Sequence, residues 1–398
     1  MTGLLLSCLV LGQTSPSITY GEESHRDLKG TAVVATITAG DMNALDYGQW
    51  QLLGAILLDG ASSYTRRSIY SFGSQNGPLP DVLVWPGVMQ IRFEAPPTAD
   101  GVRVIADLLA TIIKSPSLPD TSLEFAVHRG KDFTPTVWDR VMDPFRPKAP
   151  VATPLEIKKL YSETFRPESL SIHVAGPLDQ GSVQSLITPR FSDWRVRTLP
   201  RLQTADRRPP APQIAGEQCL TVWESEPKKN LYDVAAQMVA VCAIGGGKSS
   251  LLHSIVRQKH RWGYQQEAIL VPGKKGWQIK VFTVQPKPDD SALRAEEMKS
   301  ALQEGVAGWK EEDVVRAKQL ATASLAGTNP VPPFWLTSSA RLDTSPMARA
   351  SFMGWSRIYG TDVTISKIQA ALDSVSLDDM KSLATQILES KPSVQIFD

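Results

Sequence analysis

The strongest constraint on this chain is that it nearly repeats itself. Residues 155–176 (LEIKKLYSETFRPESLSIHVAG) read as an amphipathic helix, a turn and an alternating strand; residues 377–398 (LDDMKSLATQILESKPSVQIFD) follow the same plan. Ile157, Leu160 and Phe165 match Met380, Leu383 and Leu388 at an offset of 223. Ile172 and Val174 match Val394 and Ile396 at 222, the turn absorbing one residue. Gly60-Ala-Ser-Ser63 and Gly247-Lys-Ser-Ser250 each follow a helical apolar run. Matches in one order at similar spacing point to two copies of a domain of about 180–200 residues. A chain of 398 residues has room for both and a joint.

The joint is residues 195–216, where Pro200, Pro209, Pro210 and Pro212 fall among five arginines. Proline fixes φ and removes donors, so an extended solvated linker is expected between domains at 18–194 and 217–398. Residues 31–38 and 88–95 read as strands, with Met89, Ile91 and Phe93 alternating with Gln90, Arg92 and Glu94. Residues 99–113 form one apolar helical face, stopped by Pro116 and Pro119. In the second half 231–244 and 291–305 read as helices and 277–285 as a strand. The alternation predicts an α+β fold of two homologous domains, each a mostly antiparallel sheet with one face covered by helices.

Lys and Arg number 42 against 41 Asp and Glu, a balance that argues against a nucleic-acid binder. No apolar run approaches the ~20 residues of a membrane span. Residues 1–13 hold an apolar run, Leu4 to Leu11, then Gly12, the pattern of a short signal segment lacking Lys and Arg. A periplasmic or secreted protein is expected on that pattern, with a cytoplasmic one as the alternative. Past that segment the cysteines are Cys219 and Cys242, which can bridge or stay as buried thiols. The five histidines, at 25, 128, 173, 253 and 260, show no metal-ligand spacing; His253 and His260 read as a solvated helix face.

Gly245-Gly-Gly-Lys-Ser249 invites a phosphate-loop reading. That loop needs a glycine five residues before Gly247, and Cys242 stands there after a helical rather than a strand-like segment. A glycine-rich helix end followed by a second helix is expected instead.

Several segments together resemble one family, the pitrilysin/insulinase-type metallopeptidases, or inverted zincins, which include mitochondrial processing peptidase and the core proteins of the cytochrome bc1 complex. Residues 166–179 (RPESLSIHVAGPLD) are similar to that family's RPENL…VVGDVD strand segment. Residues 244–264 (IGGGKSSLLHSIVRQKHRWGY) are similar to its LGGGxSSRLFxxLREKxGLAY segment. The resemblance implies a duplicated peptidase fold over essentially the whole chain.

The family's chemistry rests on His-x-x-Glu-His in the first domain: two zinc ligands and a general base, with a further glutamate downstream. That motif is absent here. Aligning residues 47–60 on the family helix puts Gln51 and Ala55 at the histidine positions and Gly54 at the glutamate. The downstream ligand falls near residues 128–131, without a carboxylate in register. The resemblance assigns Arg257 and Tyr264 to the pair that reaches substrate from the second domain. On their own these residues read as a surface arginine and a strand-start tyrosine with its ring in the core.

The resemblance therefore implies a non-catalytic subunit of a heterodimeric zinc processing peptidase. It would hold no metal or cofactor itself and would present Arg257 and Tyr264 to peptide substrate beside a similar-sized zinc-bearing partner. Self-dimerisation, or a catalytically inert structural or peptide-binding protein of the same fold, is the alternative.

Overall fold

The computed structural model describes residues 17–20, 28–39, 47–85, 87–129, 136–142, 152–194, 216–273, 276–325, 345–358 and 365–397. The expected leader at 1–13 and nearly all of the expected linker (195–215) lie outside the described residues. In chain order the first half holds β1 (Ser17–Tyr20), β2 (Thr31–Thr38), α1 (Tyr47–Ile56), β3 (Gly60–Ala61), β4 (Tyr64–Thr65), α2 (Arg66–Asn76), β5 (Asp81–Trp85), β6 (Val88–Ala95), α3 (Ala99–Lys114), α4 (Asp120–Arg129), α5 (Val137–Met142), α6 (Pro154–Thr164), β7 (Leu170–Ala175) and α7 (Gln180–Phe191). The second holds β8 (Gln218–Glu224), α8 (Leu231–Gly245), a π-helix (His253–Lys259), β9 (Gln265–Gly273), β10 (Gly276–Pro286), α9 (Ser291–Ala307), α10 (Glu311–Leu325), α11 (Pro346–Ile358), α12 (Ile365–Ser374), α13 (Leu377–Glu389) and β11 (Ser393–Phe397).

The strands form two main sheets of matching order, β1-β7-β2-β6-β5 and β11-β8-β10-β9. Strands β7, β2, β6 and β5 correspond in order to β11, β8, β10 and β9, and all these pairings are antiparallel. The added β1 runs parallel to β7. The repeat reaches individual bonds. Trp50 on α1 donates to the Val88 carbonyl at 3.2 Å, and Gln237 on α8 donates to the Trp277 carbonyl at 2.9 Å. Each ties the first helix of its domain to the start of the third strand. The 223-residue offset also carries a helix start: α6 opens with a Thr153–Glu156 capping box and α13 with a Ser376–Asp379 one. Both satisfy backbone N–H groups that a helix terminus leaves unbonded.

The expectation of sheets covered on one face only needs correction. All of β2 but its last residue is buried, and so are Gln90 and Arg92 on the face of β6 that reads as polar. The cover comes from the opposite half of the chain. Helix α11 lies against β2, β6 and β7 through Met347, Ala350, Ser351 and Gly354. Gln90 donates to the Ser351 carbonyl at 2.9 Å. A side chain at Gly354 would collide with Thr36 and come within 2.7 Å of the Gln90 amide nitrogen, so glycine sets how closely this helix approaches. Reciprocally, α5 docks on the outer face of the second sheet. Val141 joins a cluster with Leu220, Val222, Ile269 and Phe282, and Trp138 meets Phe282 edge-on at 5.8 Å. Lys280 donates to the Val141 carbonyl at 2.8 Å and pairs with Glu224 at 2.6 Å, while Gln395 donates to the Arg140 carbonyl at 3.2 Å. A cation at a helix C-terminus satisfies orphan carbonyls and complements the helix dipole. The alternating pattern fails because it reports side-chain polarity, and here polar side chains pack against backbone.

Candidate functional site

Helix α1 carries the three positions aligned with the zinc motif. It ends at Ile56, before Gly60, and its first turn has no acidic residue. Gln51 is half-buried, Gly54 buried and Ala55 exposed. They face a hollow of about 360 Å³, closed on its far side by Pro80, Asp81, Val82 and Val84 and flanked by Tyr70. Val84 Cγ2 stands where a Cβ on Gly54 would lie, and Met89 Cε is 3.3 Å from that point. A side chain at Gly54, the position aligned with the family's glutamate, would therefore need Val84 of β5 to shift.

The remaining donors do not fit zinc. Gln51 offers a neutral amide, a poor ligand for a metal that takes imidazole, thiolate and carboxylate. The Asp81 carboxylate at the edge of the hollow forms a bidentate pair with Arg92, itself 6% exposed, so it is committed to the β5–β6 ladder. His128 on α4 is exposed, and residues 130–131 lie outside the described residues. Among the described residues no three His, Cys, Asp or Glu side chains cluster as a metal site. Burial pushes the half-buried Tyr70 phenol above its ordinary value, the nearby Arg66 partly opposing it.

Arg257 and Tyr264 are brought together. Arg257 projects from the π-helix, whose wider turn closes with a His260 N–H to Ile255 carbonyl bond of 3.1 Å. Single π turns of this kind cluster at functional sites. Arg257 Nη1 donates to the Tyr264 carbonyl at 2.9 Å, and the guanidinium carbon lies 5.5 Å from the Tyr264 ring centroid. Tyr264 is 81% exposed, so its ring is not in the core. One of five guanidinium N–H groups serves the backbone; among the described residues the others and the phenol O–H meet no hydrogen-bond acceptor.

The loop between these residues was not legible from spacing. The His260 and Trp262 rings stack at 4.0 Å with 14° between planes, and the Arg294 guanidinium lies 5.4 Å from the Trp262 centroid. His253 and His260 are half-buried, each with one shielded ring nitrogen that has no hydrogen-bond partner among the described residues, rather than a fully solvated face. His-x-Trp two residues before Tyr264 is the only local signal for the stack.

Elsewhere the structure places the other candidates away from chemistry. The glycine run is a helix end: α8 stops at Gly245, Gly246 N–H donates to the Cys242 carbonyl at 2.9 Å, and a second helical stretch follows. Cys219 and Cys242 are free thiols, and burial pushes the Cys242 thiol up to about 12. No described helix is long and apolar enough to cross a membrane.

Comparison with known proteins bears on the fold. Residues 152–321 match the family model described as the peptidase M16 inactive domain. No curated protein matches the chain. The structure is similar to a peptidase M16 inactive domain from Pseudomonas fluorescens, with TM-score 0.70 at 13% identity over 96% of this chain and 95% of that one. A protease from Helicobacter pylori gives TM-score 0.68 at 13% identity over 96% and 95%. Residues 152–321 thus match a model of the M16 inactive domain, and the chain shares its fold with M16-type structures over nearly its full length.

Proposed function

We propose that this chain is the non-catalytic subunit of a heterodimeric zinc processing peptidase and supplies Arg257 and Tyr264 to peptide held at the partner's zinc site. The observation that carries the reading is the pairing of Arg257 with Tyr264. The two side chains are aligned before any ligand arrives and stay open to solvent. Guanidinium and phenol donors held in this way can grip a scissile carbonyl and stabilise charge growing on its oxygen. Because the Tyr264 carbonyl fixes one arm of Arg257, little side-chain entropy is lost on contact. An extended peptide would find ladder groups at the outer side of β5 or β9, the end strands of their sheets. The zinc itself belongs to the partner in this reading.

The test is reconstitution with a similar-sized His-x-x-Glu-His subunit. Activity should appear on mixing and fall when Arg257→Ala and Tyr264→Phe are introduced. A partner fully active alone would end this proposal. The same bond that orients Arg257 also gives it a structural task, which favours as second reading an inert peptide-binding or scaffolding protein. That reading predicts that both variants leave partner activity unchanged.

A further inference from the structure

We propose that the surface formed by residues 247–264 and the adjoining cavity beside Trp262 is a docking site for an acidic, extended peptide segment. This rests on the peptide-binding reading above and gives it a ligand class.

In a chain balanced at 42 basic and 41 acidic residues, positions 247–264 hold Lys248, Arg257, Lys259 and Arg261 and no Asp or Glu. All four are exposed. Most lysines and arginines of the molecule with a defined contact are spent on carboxylates, such as Arg92 on Asp81, Lys158 on Asp120 and Arg316 on Asp313. Among the described residues Lys248, Lys259 and Arg261 make no ion pair, and Arg257 contacts Tyr264. The surplus of positive charge is therefore open to a ligand.

Beside it lies a cavity of about 720 Å³, walled by His260, Arg261, Trp262, Lys287 and Arg294. Three carboxylates also line it: Asp290 accepts from Ala292 and Leu293 N–H to cap α9, Glu297 pairs with Arg294 at 2.8 Å, and Asp289 is exposed, so the excess of positive charge lies on the 247–264 surface rather than in the cavity itself. Lys287 has no ion-pair partner among the described residues. The wall also has an unusual backbone conformation. Arg261 sits in the left-handed region at φ 55°, unusual for a bulky residue. The His260–Trp262 stack and the Trp262 N–H to Val256 carbonyl bond of 2.9 Å hold it there. Backbone strain maintained by its surroundings is a feature of binding sites.

A peptide suits this surface better than a polynucleotide. Nucleic-acid grooves interleave several exposed aromatic rings with basic residues, whereas Trp262 is already stacked and Tyr264 is the one strongly exposed ring. Strand β9 begins directly after Tyr264 and is the end strand of its sheet, so an extended chain adding to it would pass Arg257, Lys259 and Arg261.

The test is selection of a random peptide display library, about twelve residues long, on the immobilised full-length chain at low salt. The strongest selected peptide is then titrated. Asp and Glu should be enriched, and affinity should fall about tenfold with Lys248→Glu, Lys259→Glu and Lys287→Glu combined, and several-fold on raising salt to about 0.3 M. Circular dichroism and melting should show the triple variant folded; Lys→Gln at the same sites should give an intermediate loss. Enrichment of Lys and Arg, no charge bias, or tighter binding of a single-stranded DNA oligonucleotide would overturn the acidic-peptide assignment while leaving peptide binding to be judged by the reconstitution. Recovery of no binding peptide at all would overturn this inference, while the reconstitution alone judges the reading it rests on.

Discussion

Val84 on β5 fills the space that any side chain at position 54 of α1 would need. Glycine at position 54 thus lets α1 and β5 approach more closely than a side chain there would allow.

Gly54→Ala should therefore destabilise the protein by about 1–3 kcal/mol, the usual cost of overpacking. Helix propensity alone would stabilise it by up to about 1 kcal/mol. Denaturant melts decide the sign, and adding Val84→Ala should recover part of the loss in a double-mutant cycle. A stabilised Gly54→Ala protein would show that the strand yields freely.

Installing Gln51→His, Gly54→Glu and Ala55→His together should give neither stoichiometric zinc nor peptidase activity, because β5 obstructs the middle position. Metal analysis after dialysis is the measurement, and tight zinc at one equivalent would contradict the packing account.

Exchange of α5 and α11 between the sheets should make the two domains unfold together. Calorimetry should give one transition whose calorimetric and van't Hoff enthalpies agree. Lys280→Ala, which strands the Val141 carbonyl and Glu224, should lower that transition, at a cost on the order of 1–3 kcal/mol. Two separate transitions would mean that the exchanged helices dock loosely.

His173 on β7 is fully buried, and burial, with a smaller contribution from Arg357, holds its imidazole down to about 3. Its Nε2 meets Ser171 Oγ at 2.9 Å. The unfolded chain binds a proton near pH 6.5 that the folded one refuses until about pH 3, so this histidine costs stability increasingly as pH falls through that window. Between pH 7 and 5 the wild type should lose on the order of 2 kcal/mol more than a His173→Gln variant. Equal losses would show that His173 titrates normally.

These positions also show what the sequence could reveal. The repeat, the strand alternation and the helix starts at Thr153 and Ser376 are local patterns, so they are legible one segment at a time. The cover over Gln90, Thr36 and His173 is not, since it is supplied by Ser351 and Gly354 far along the chain and reads as an exposed polar face. At the candidate site, that Gln51, Gly54 and Ala55 stand where the aligned motif has His, Glu and His is a matter of residue identity. The filling of that space by Val84, and the π turn that joins Arg257 to Tyr264, depend on tertiary packing and backbone geometry with no periodic signature.

The most direct test of the account measures peptide cleavage by a His-x-x-Glu-His partner mixed with wild-type chain or with the Arg257→Ala/Tyr264→Phe variant. The account predicts no cleavage by this chain alone, cleavage by the wild-type mixture, and a loss of about 10²-fold or more with the variant, the scale of removing oxyanion donors. Cleavage by the mixture that is indifferent to both substitutions would contradict it.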